Sequence, residues 1–181
     1  AIWLDAEMCS PYAMYQFWLN TDDADVIDRL KVFTFLPRAE VDDYARLVAE
    51  EPFRRAAQKR LALEVTGLVH GAEAVAAAIA ASEALFGQGD LAALDAAPLA
   101  AAIAELPRAE VAETDTVVHA LVATGLCASA SEARRAIAQG GIALNNVRVE
   151  SDSATFAGAA LAGGYGVLRR GKKTLAGLVI R

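Results

Sequence analysis

Two arginines and a glutamine on one face of a predicted helix are the residues of this chain best suited to bind a polyanion. Ser129 and Glu132 have the spacing of a capping box, in which two side chains bond the free amides at the start of a helix. Arg134, Arg135 and Gln139 then fall on the face opposite to small apolar residues. Because guanidinium groups form charge-assisted hydrogen bonds with phosphate oxygens, this face can bind a nucleic-acid backbone.

A glycine stop and a tight turn follow this helix. Gly140 and Gly141 can take the positive φ that ends a helix. Residues 142–144 then fit a short strand, and Asn145-Asn146 suits a two-residue hairpin turn because Asn tolerates left-handed geometry. The sequence therefore predicts a basic helix face beside a short hairpin that carries Asn145.

The stretch from Ala130 to Asn145 resembles the RNA-binding motif named after ribosomal small-subunit protein S-four. In that family the helix and the hairpin together bind structured RNA. The motif is attached to ribosomal proteins, pseudouridine synthases, stress proteins and one aminoacyl-tRNA synthetase. The resemblance implies RNA contacts from Arg134, Arg135, Gln139 and Asn145. The alternative is a capped helix whose arginines are merely solvated.

The charge distribution agrees with a polyanion partner for the C-terminal part. The chain has a net charge of -6, but residues 115–181 carry eight Lys and Arg against four Asp and Glu, a balance of +4. Residues 1–114 carry nine against nineteen, a balance of -10. A basic end on an acidic body indicates that any polyanion is held mainly by the C-terminal part.

Composition and motifs exclude several classes of protein. The chain has 181 residues, of which 55% are hydrophobic and 22% charged, which is typical of a globular protein of one or two domains. Its cysteines, Cys9 and Cys127, are far apart, which favours a reducing, cytoplasmic compartment, and no stretch fits a signal peptide or membrane span. His70 and His119 are isolated, so no metal site is predicted. No phosphate-binding glycine loop or nucleophile elbow is present, and the chain does not resemble a self-contained enzyme.

The first half of the chain has the periodicity of a helical bundle. Ser10-Pro11 fits the cap and first residue of an aromatic-rich helix, whose large side chains are predicted to pack in a core against a neighbour that is missing from this sequence. Residues 1–5, before this helix, have the apolar pattern of a strand. The pattern has no clear beginning, as expected if the sequence is a fragment of a longer protein. Apolar residues then recur at helical spacing. The predicted helices cover residues 11–19, 26–34, 41–48, 57–70 and 75–86, with one or two helical turns in 91–106.

An ordered set of short matches in this half resembles bacterial tyrosyl-tRNA synthetases, in the region that follows their ATP-binding KMSKS-type loop. The resemblance extends over essentially the entire chain, and the run from Val167 to Lys173 resembles the last basic hairpin of those enzymes. The matches in the first half are Trp3-Leu-Asp5, Ser10-Pro-Tyr12, Tyr15-Gln-Phe-Trp18, Asn20-Thr21, Asp25-Val26, Phe33-Thr-Phe-Leu36, Ala56-Ala-Gln-Lys59, Leu68-Val-His-Gly71 and Leu85-Phe-Gly87.

The resemblance implies a non-catalytic portion of a class I ligase. In the family, a Rossmann-type domain uses ATP and Mg²⁺ to activate tyrosine and then transfers it to tRNA. The motifs of that domain are absent here, so no catalytic residue and no cofactor are assigned to this chain. What remains resembles the parts that hold the anticodon stem-loop and the long variable arm of tyrosine tRNA. The parent is expected to be a cytoplasmic homodimer that associates through its catalytic domain.

Particular roles follow from the resemblance. Asp23 matches an acidic position near the first anticodon base, where a carboxylate can accept from guanine N1 and N2, although Asp22 and Asp25 remain close rivals. A basic strip at residues 54–60 either faces solvent or reaches a phosphate. A second phosphate clamp is expected at the glycine turn near the end of the chain, with a solvated hairpin as the alternative. Its residues are Arg169, Arg170, Lys172 and Lys173.

The predicted fold class is α+β, namely a mainly α-helical bundle followed by a small α+β S-four-type RNA-binding domain. The predicted domains are 1–22 (tail of the catalytic domain and connecting helix), 23–106 (anticodon-binding), 107–114 (a mobile linker) and 115–181 (S-four-type). Residues 151–166 are rich in Gly and Ala and depart from the family pattern. Two other classes remain open: a stand-alone S-four-type RNA-binding protein, and a helical interaction module that binds no nucleic acid.

Overall fold

A computed structural model describes residues 2–87 and 89–181, which form two compact units that divide between Ile79 and Ala80. The first unit is helical, and the second combines helices with a five-stranded sheet. The predicted α+β class is therefore confirmed. The strand-like piece predicted at the start of the chain is wrong for residues 2–5, which form no strand, and Ala1 lies outside the described residues.

The helices of the first unit begin and end close to where the sequence predicts them. Ser10 caps the first helix, since its Oγ accepts the amide of Ala13 at 3.1 Å. The fourth helix stops at Gly71, whose φ of +88° is available to glycine without strain. The helices are α1 (Pro11–Leu19), α2 (Asp23–Phe33), α3 (Arg38–Glu50) and α4 (Ala56–His70), followed by α5 (Ala72–Leu85), which begins in this unit.

The core of the first unit forms where α4 packs against α1, α2 and α3. Leu61 of α4 and Val26 and Leu30 of α2 are fully buried, and Met14 of α1 is 1% exposed. Tyr12, Tyr15 and Trp18 of the aromatic helix are buried within this unit, where α1 packs on α4, so the missing neighbour that the sequence predicts is not needed to cover them. This packing places the start of α2 beside the start of α4, where Gln58 bonds to Asp23.

The second unit is built on a mixed sheet with the strand order β1-β5-β4-β2-β3. The β1–β5 pair is parallel, and the other pairs are antiparallel. The strands are β1 (Arg108–Val111), β2 (Ile142–Leu144), β3 (Val147–Arg148), β4 (Tyr165–Arg170) and β5 (Thr174–Ile180), and the helices are α6 (Ala96–Ala104), α7 (Val117–Ala123) and α8 (Ala130–Ala138).

Helices cover both faces of this sheet. α7 and α8 bury their apolar sides with Leu168 and Leu178 in one hydrophobic cluster. Successive residues of a strand point to opposite faces, so Gly177 lies on the other side. A Cβ at Gly177 would overlap the side chain of Ile103 in α6, whose Cβ lies only 3.2 Å from that position. Glycine at this position therefore allows α6 to pack directly on β5.

The stretch 107–114 is not the irregular linker that the sequence predicts. Residues 108–111 form β1, which pairs with the last strand of the sheet. β1 is short, and only Val111 is buried in it, so it leaves no periodic pattern in the sequence. The boundary also differs from the predicted one at residue 106, because α6 packs on the sheet of the second unit.

The Gly/Ala-rich segment that leads to β4 is held by one aromatic side chain. Phe156 is fully buried in the hydrophobic cluster of the second unit, and its amide donates to the Glu113 carbonyl at 3.0 Å. Further along, Asn145 Nδ2 donates to the Ala159 carbonyl at 2.6 Å. Apart from a 3-10 helix at Ala162–Gly164, the segment is therefore ordered by these anchor points.

Candidate RNA-binding surface

The motif helix α8 begins with the predicted capping box, with one shift in register. The Glu132 amide donates to Ser129 Oγ at 3.3 Å, as expected. Glu132 Oε2 in turn accepts from the amide of Ala128, not of Ser129, at 2.8 Å. Gly140 ends the helix with a φ of +71°. The sequence pattern thus fixes both ends of the helix that presents the arginines.

The outward face of α8 carries the three predicted side chains. Arg134, Arg135 and Gln139 are all exposed, whereas Ala133, Ala136 and Ile137 are buried against the core. Arg134 Nε lies 3.4 Å from Asp152 Oδ2, and both side chains are more than half exposed. An exposed ion pair of this kind contributes little to stability, so a phosphate can replace Asp152 as the partner of Arg134.

The Asn145-Asn146 turn has the predicted left-handed geometry, with φ values of 50° and 66°. The side chain of Asn145 nevertheless forms hydrogen bonds within the protein, in place of the RNA contact that the resemblance implies for it. Its Nδ2 donates to the Ala159 carbonyl at 2.6 Å, and its Oδ1 accepts from the Val167 amide at 2.9 Å. Because both ends of this amide are engaged inside the protein, Asn145 holds the turn against β4 and does not extend toward RNA.

Arg170 is also engaged within the protein. Its Nη2 lies 2.7 Å from Glu132 Oε1, and its Nη1 donates to the Leu126 carbonyl. The hydrogen bond from the Ala128 amide, followed by that from Arg170, lowers the pKa of Glu132. The bond to Glu132 raises the pKa of Arg170. Arg170 therefore joins β4 to the first turn of α8 and is not the free phosphate ligand that the sequence predicts.

This carboxylate–guanidinium contact predicts a pH dependence of stability. Since the pKa of Glu132 is lower in the folded chain than its ordinary value of about 4.3, its stabilising contribution is present above that value and is lost as the pH falls through the lower, folded value. We expect Glu132→Gln to lower the thermal unfolding midpoint at pH 7, with a deficit that shrinks below about pH 4. The measurement is thermal unfolding of both proteins across this pH range.

The control for this measurement is Glu105→Gln, which removes an exposed carboxylate of the same unit. Its unfolding midpoint at pH 7 is expected to stay close to that of the wild type, because the carboxylate is exposed. A deficit in Glu132→Gln that stays constant down to pH 2 would show that the carboxylate charge plays no part.

Arg169 points in a different direction from Arg170, as neighbours on a strand do. Its Nη1 lies 3.3 Å from the position of a Cβ on Gly87, just beyond the end of α5. Asn146 is close to the same site, and its Nδ2 donates to the Ala84 carbonyl at 2.7 Å. Arg169 Nε is buried without a hydrogen-bond partner in the described part of the chain. This guanidinium accordingly lies at the end of α5 and not in the predicted clamp.

The two remaining cations of the predicted clamp, Lys172 and Lys173, are exposed in the β4–β5 turn. The Gly171 amide of this turn donates to the Gly141 carbonyl at 2.8 Å, which ties the lysine turn to the end of the motif helix. A shallow groove beside it is lined by Gln139 and Arg170 together with Leu126, Ala136, Gly141, Gly171 and Thr174. Residues of the motif helix and of the lysine turn thus line the same groove.

Arg148 is a basic residue of this surface that the sequence alone does not single out. It is exposed on β3, and its guanidinium lies over Gly140, with Nε 2.7 Å from the position of a Cβ on that glycine. A cation beside the carboxyl end of a helix is favoured by the helix dipole. The signal that could have identified Arg148 is its place two residues after the hairpin turn. We define Arg134, Arg135, Gln139, Arg148, Lys172 and Lys173 as the basic surface.

Asp23, the residue predicted at the anticodon, is the first residue of α2, and its side chain is 45% exposed. Gln58 Nε2 donates to its Oδ1 at 2.5 Å, and Arg55 Nη1 lies 3.9 Å from the same oxygen. Of its rivals, Asp25 forms an ion pair with Arg29 at 3.1 Å, and Asp22 is the exposed N-cap residue of α2. Of the three carboxylates, Asp23 is therefore the one that accepts a hydrogen bond from α4.

The cations of the basic strip at residues 54–60 differ in whether they are engaged within the protein. Arg55 Nη2 donates to the carbonyls of Leu19 and Thr21 at 2.8 and 3.0 Å, so it braces the α1–α2 corner. Arg60 pairs with Glu40 and Glu64, and Arg54 pairs with Glu51. Lys59 is exposed. The strip is mainly an internal network, and Lys59 is the member most open to a phosphate.

Residues 2–87 and 89–181 contain no group of three or more His, Cys, Asp and Glu side chains placed to hold a metal ion. They also contain no helix whose length and apolar character would let it cross a membrane.

Sequence comparisons match both halves of the chain to one class of enzyme. The family model described as "tRNA synthetases class I (W and Y)" matches residues 1–87. The model described as "Tyrosine--tRNA ligase SYY-like C-terminal domain" matches residues 99–176. The class defined by the two matches is that of class I tRNA synthetases.

Individual relatives narrow this class further. The chain is 62% identical over 181 residues to a tyrosine–tRNA ligase of Leifsonia xyli, with 99% of this chain and 41% of that protein covered. It is 52% identical to those of Streptomyces griseus and Streptomyces coelicolor, with 99% of this chain and 43% of each protein covered. The chain thus belongs to the bacterial tyrosyl-tRNA synthetase family, as its motifs indicate, and spans about two fifths of the length of these relatives.

Among solved structures, the chain is similar to a C-terminally truncated mitochondrial tyrosyl-tRNA synthetase of Aspergillus nidulans. The match covers 43% of this chain and 23% of the synthetase chain in that structure. The sequence identity is 42% and the TM-score is 0.42.

Proposed function

We propose that this chain is the tRNA-binding portion of a tyrosine–tRNA ligase, the enzyme that attaches tyrosine to its tRNA with ATP. The observation that supports this proposal is the basic surface, whose cations are exposed on the helix and hairpin that resemble an S-four-type RNA-binding motif and on the neighbouring β4–β5 turn. The matching family segments on both sides of residues 88–98 support it.

The basic surface fits a folded RNA backbone better than a particular base sequence. Its members are mainly arginines and lysines, which bind phosphate oxygens and so fix position more than sequence. RNA of this kind is recognised by its shape and by unstacked bases. We assign the long variable arm of tyrosine tRNA to this surface and the anticodon stem-loop to the first unit, where Asp23 accepts hydrogen bonds from the first anticodon base.

The remaining parts of the activity belong to the parent enzyme. ATP, Mg²⁺ and tyrosine bind in its catalytic domain, and no residue of this chain is assigned to them. The parent is a cytoplasmic homodimer that associates through the same domain. The role of this chain is to hold the tRNA while the terminal ribose reaches that domain.

Binding to two tRNAs tests this proposal. The chain is titrated with tyrosine tRNA and with a tRNA that has a short variable arm, at several salt concentrations. We expect tighter binding to tyrosine tRNA, with an affinity that falls by about 0.7–0.9 log unit per phosphate contact for each tenfold increase in salt. Equal binding to both tRNAs would mean that the basic surface binds RNA without selecting tyrosine tRNA. No binding to either would favour a helical interaction module.

A further inference from the structure

Gln58 is a fully buried side chain of α4 that contacts the partly exposed Asp23. Its Nε2 donates to Asp23 Oδ1 at 2.5 Å. Its Oε1 is buried without a hydrogen-bond partner in the part of the chain that the structure describes. A side chain that leaves one polar end unpaired in the core is unfavourable for folding by itself, because that end has lost its water.

The orientation of this amide follows from its neighbour. An ionised carboxylate only accepts hydrogen bonds, so the donor end of Gln58 must face Asp23 and the acceptor end must face the core. An apolar side chain of similar length would fill the same space without an unpaired oxygen. The contact with Asp23 is thus the feature of Gln58 that packing does not explain.

Asp23 is held from two sides and still accessible. Arg55 Nη1 lies 3.9 Å from the same Oδ1, and Arg55 itself is fixed by the carbonyls of Leu19 and Thr21. The side chain of Asp23 nevertheless remains 45% exposed. An oxygen that accepts one hydrogen bond keeps a second lone pair, so both carboxylate oxygens can still accept from the N1 and N2 groups of a guanine.

We propose that Gln58 is a positioning residue for base recognition, which fixes the Asp23 carboxylate in the orientation that accepts a guanine. This inference rests on the proposed function, in which Asp23 contacts the first anticodon base. A carboxylate fixed before binding loses less side-chain entropy when the base arrives, so preference for the correct base increases. Gln58 touches no RNA atom itself and acts through Asp23.

The test is Gln58→Met, which keeps the length of the side chain and removes its polar end. Its affinity is measured for tyrosine tRNA and for the same tRNA with adenine in place of the guanine at the first anticodon position. We expect the preference of the wild type for guanine to fall by about tenfold, the size of one good base contact. The thermal unfolding midpoint is expected to stay unchanged or to rise, since an unpaired acceptor has been removed.

Thr66→Val is the matched control. Thr66 is another fully buried polar residue of α4 whose Oγ1 lacks a hydrogen-bond partner in residues 2–87 and 89–181. The change removes it without altering Asp23, and base preference should stay at the wild-type level. A loss of preference in Thr66→Val as large as in Gln58→Met would overturn the positioning role.

A double-mutant cycle keeps the inference testable even if Gln58→Met lowers stability. If Gln58 acts through Asp23, the change has no further effect on base preference in an Asp23→Ala background. Wild-type preference for guanine that survives in Gln58→Met would overturn the inference and leave the proposed function standing. No preference in the wild type itself would overturn the role of Asp23, and with it that of Gln58.

Discussion

Arg134→Ala/Arg135→Ala is expected to weaken binding to tyrosine tRNA by about ten- to a hundredfold at low salt, since each lost charge-assisted hydrogen bond accounts for about a tenfold change. Both side chains are exposed, and neither supports the core, so the chain should remain folded. The salt slope of log affinity should fall by about 1.5, which corresponds to two phosphate contacts. The measurement is a binding titration at several salt concentrations.

Arg38→Ala/Arg46→Ala is the matched control, because it removes the same charge from the exposed face of α3. It is expected to shift the affinity by less than about threefold, as a change in overall charge alone would do. An equal loss of affinity in both double variants would mean that the RNA responds to net charge and not to the motif helix.

Phe156→Ala is expected to destabilise the second unit by about 3–5 kcal/mol, the usual cost of removing a large aromatic side chain from a core. Phe156 is fully buried among residues of α7, α8 and the sheet. Denaturant unfolding of the complete chain measures the change. We further expect loss of tRNA affinity, because Phe156 belongs to the cluster that packs α8, the helix of Arg134 and Arg135, against the sheet.

Val147→Ala is the control for this change. Val147 lies in the same unit but is 70% exposed, so its truncation leaves no cavity. It is expected to change the free energy of unfolding by less than about 0.5 kcal/mol. A loss below 1 kcal/mol in Phe156→Ala would contradict the assignment of Phe156 as the anchor of the Gly/Ala-rich segment.

Local signals in the sequence predicted the motif helix and its turn well. The capping box at Ser129, the glycine at residue 140 and the paired asparagines each act within a few residues. Their geometry therefore depends little on the rest of the fold, and the structure confirms all three. The helices of the first unit were predicted for the same reason, since their apolar spacing repeats over several turns.

Contacts between distant residues were not predictable in this way. Arg170 and Glu132 are 38 residues apart, and Arg169 lies beside Gly87. Adjacent residues of a strand point to opposite faces, so Arg169 and Arg170 could not both belong to one clamp. The alternation follows from the sequence once 165–170 is taken as a strand, and it excludes a clamp that contains both arginines.

Short elements were also missed. β1 has four residues and a single buried position, and it pairs with a strand about 70 residues later. α7 has seven residues, too few to establish a helical period. Both elements exist because the sheet and the core of the second unit stabilise them, which is a tertiary effect that local pattern does not contain.

Hydroxyl-radical footprinting of tyrosine tRNA in complex with this chain tests the central claim most directly. We predict protection of the sugar backbone at the variable arm and at the anticodon stem-loop. In Arg134→Ala/Arg135→Ala, protection of the variable arm should be lost while that of the anticodon stem-loop remains at saturating protein. Protection confined to other parts of the tRNA, or a variable arm that stays protected in the double variant, would contradict the assignment of the basic surface.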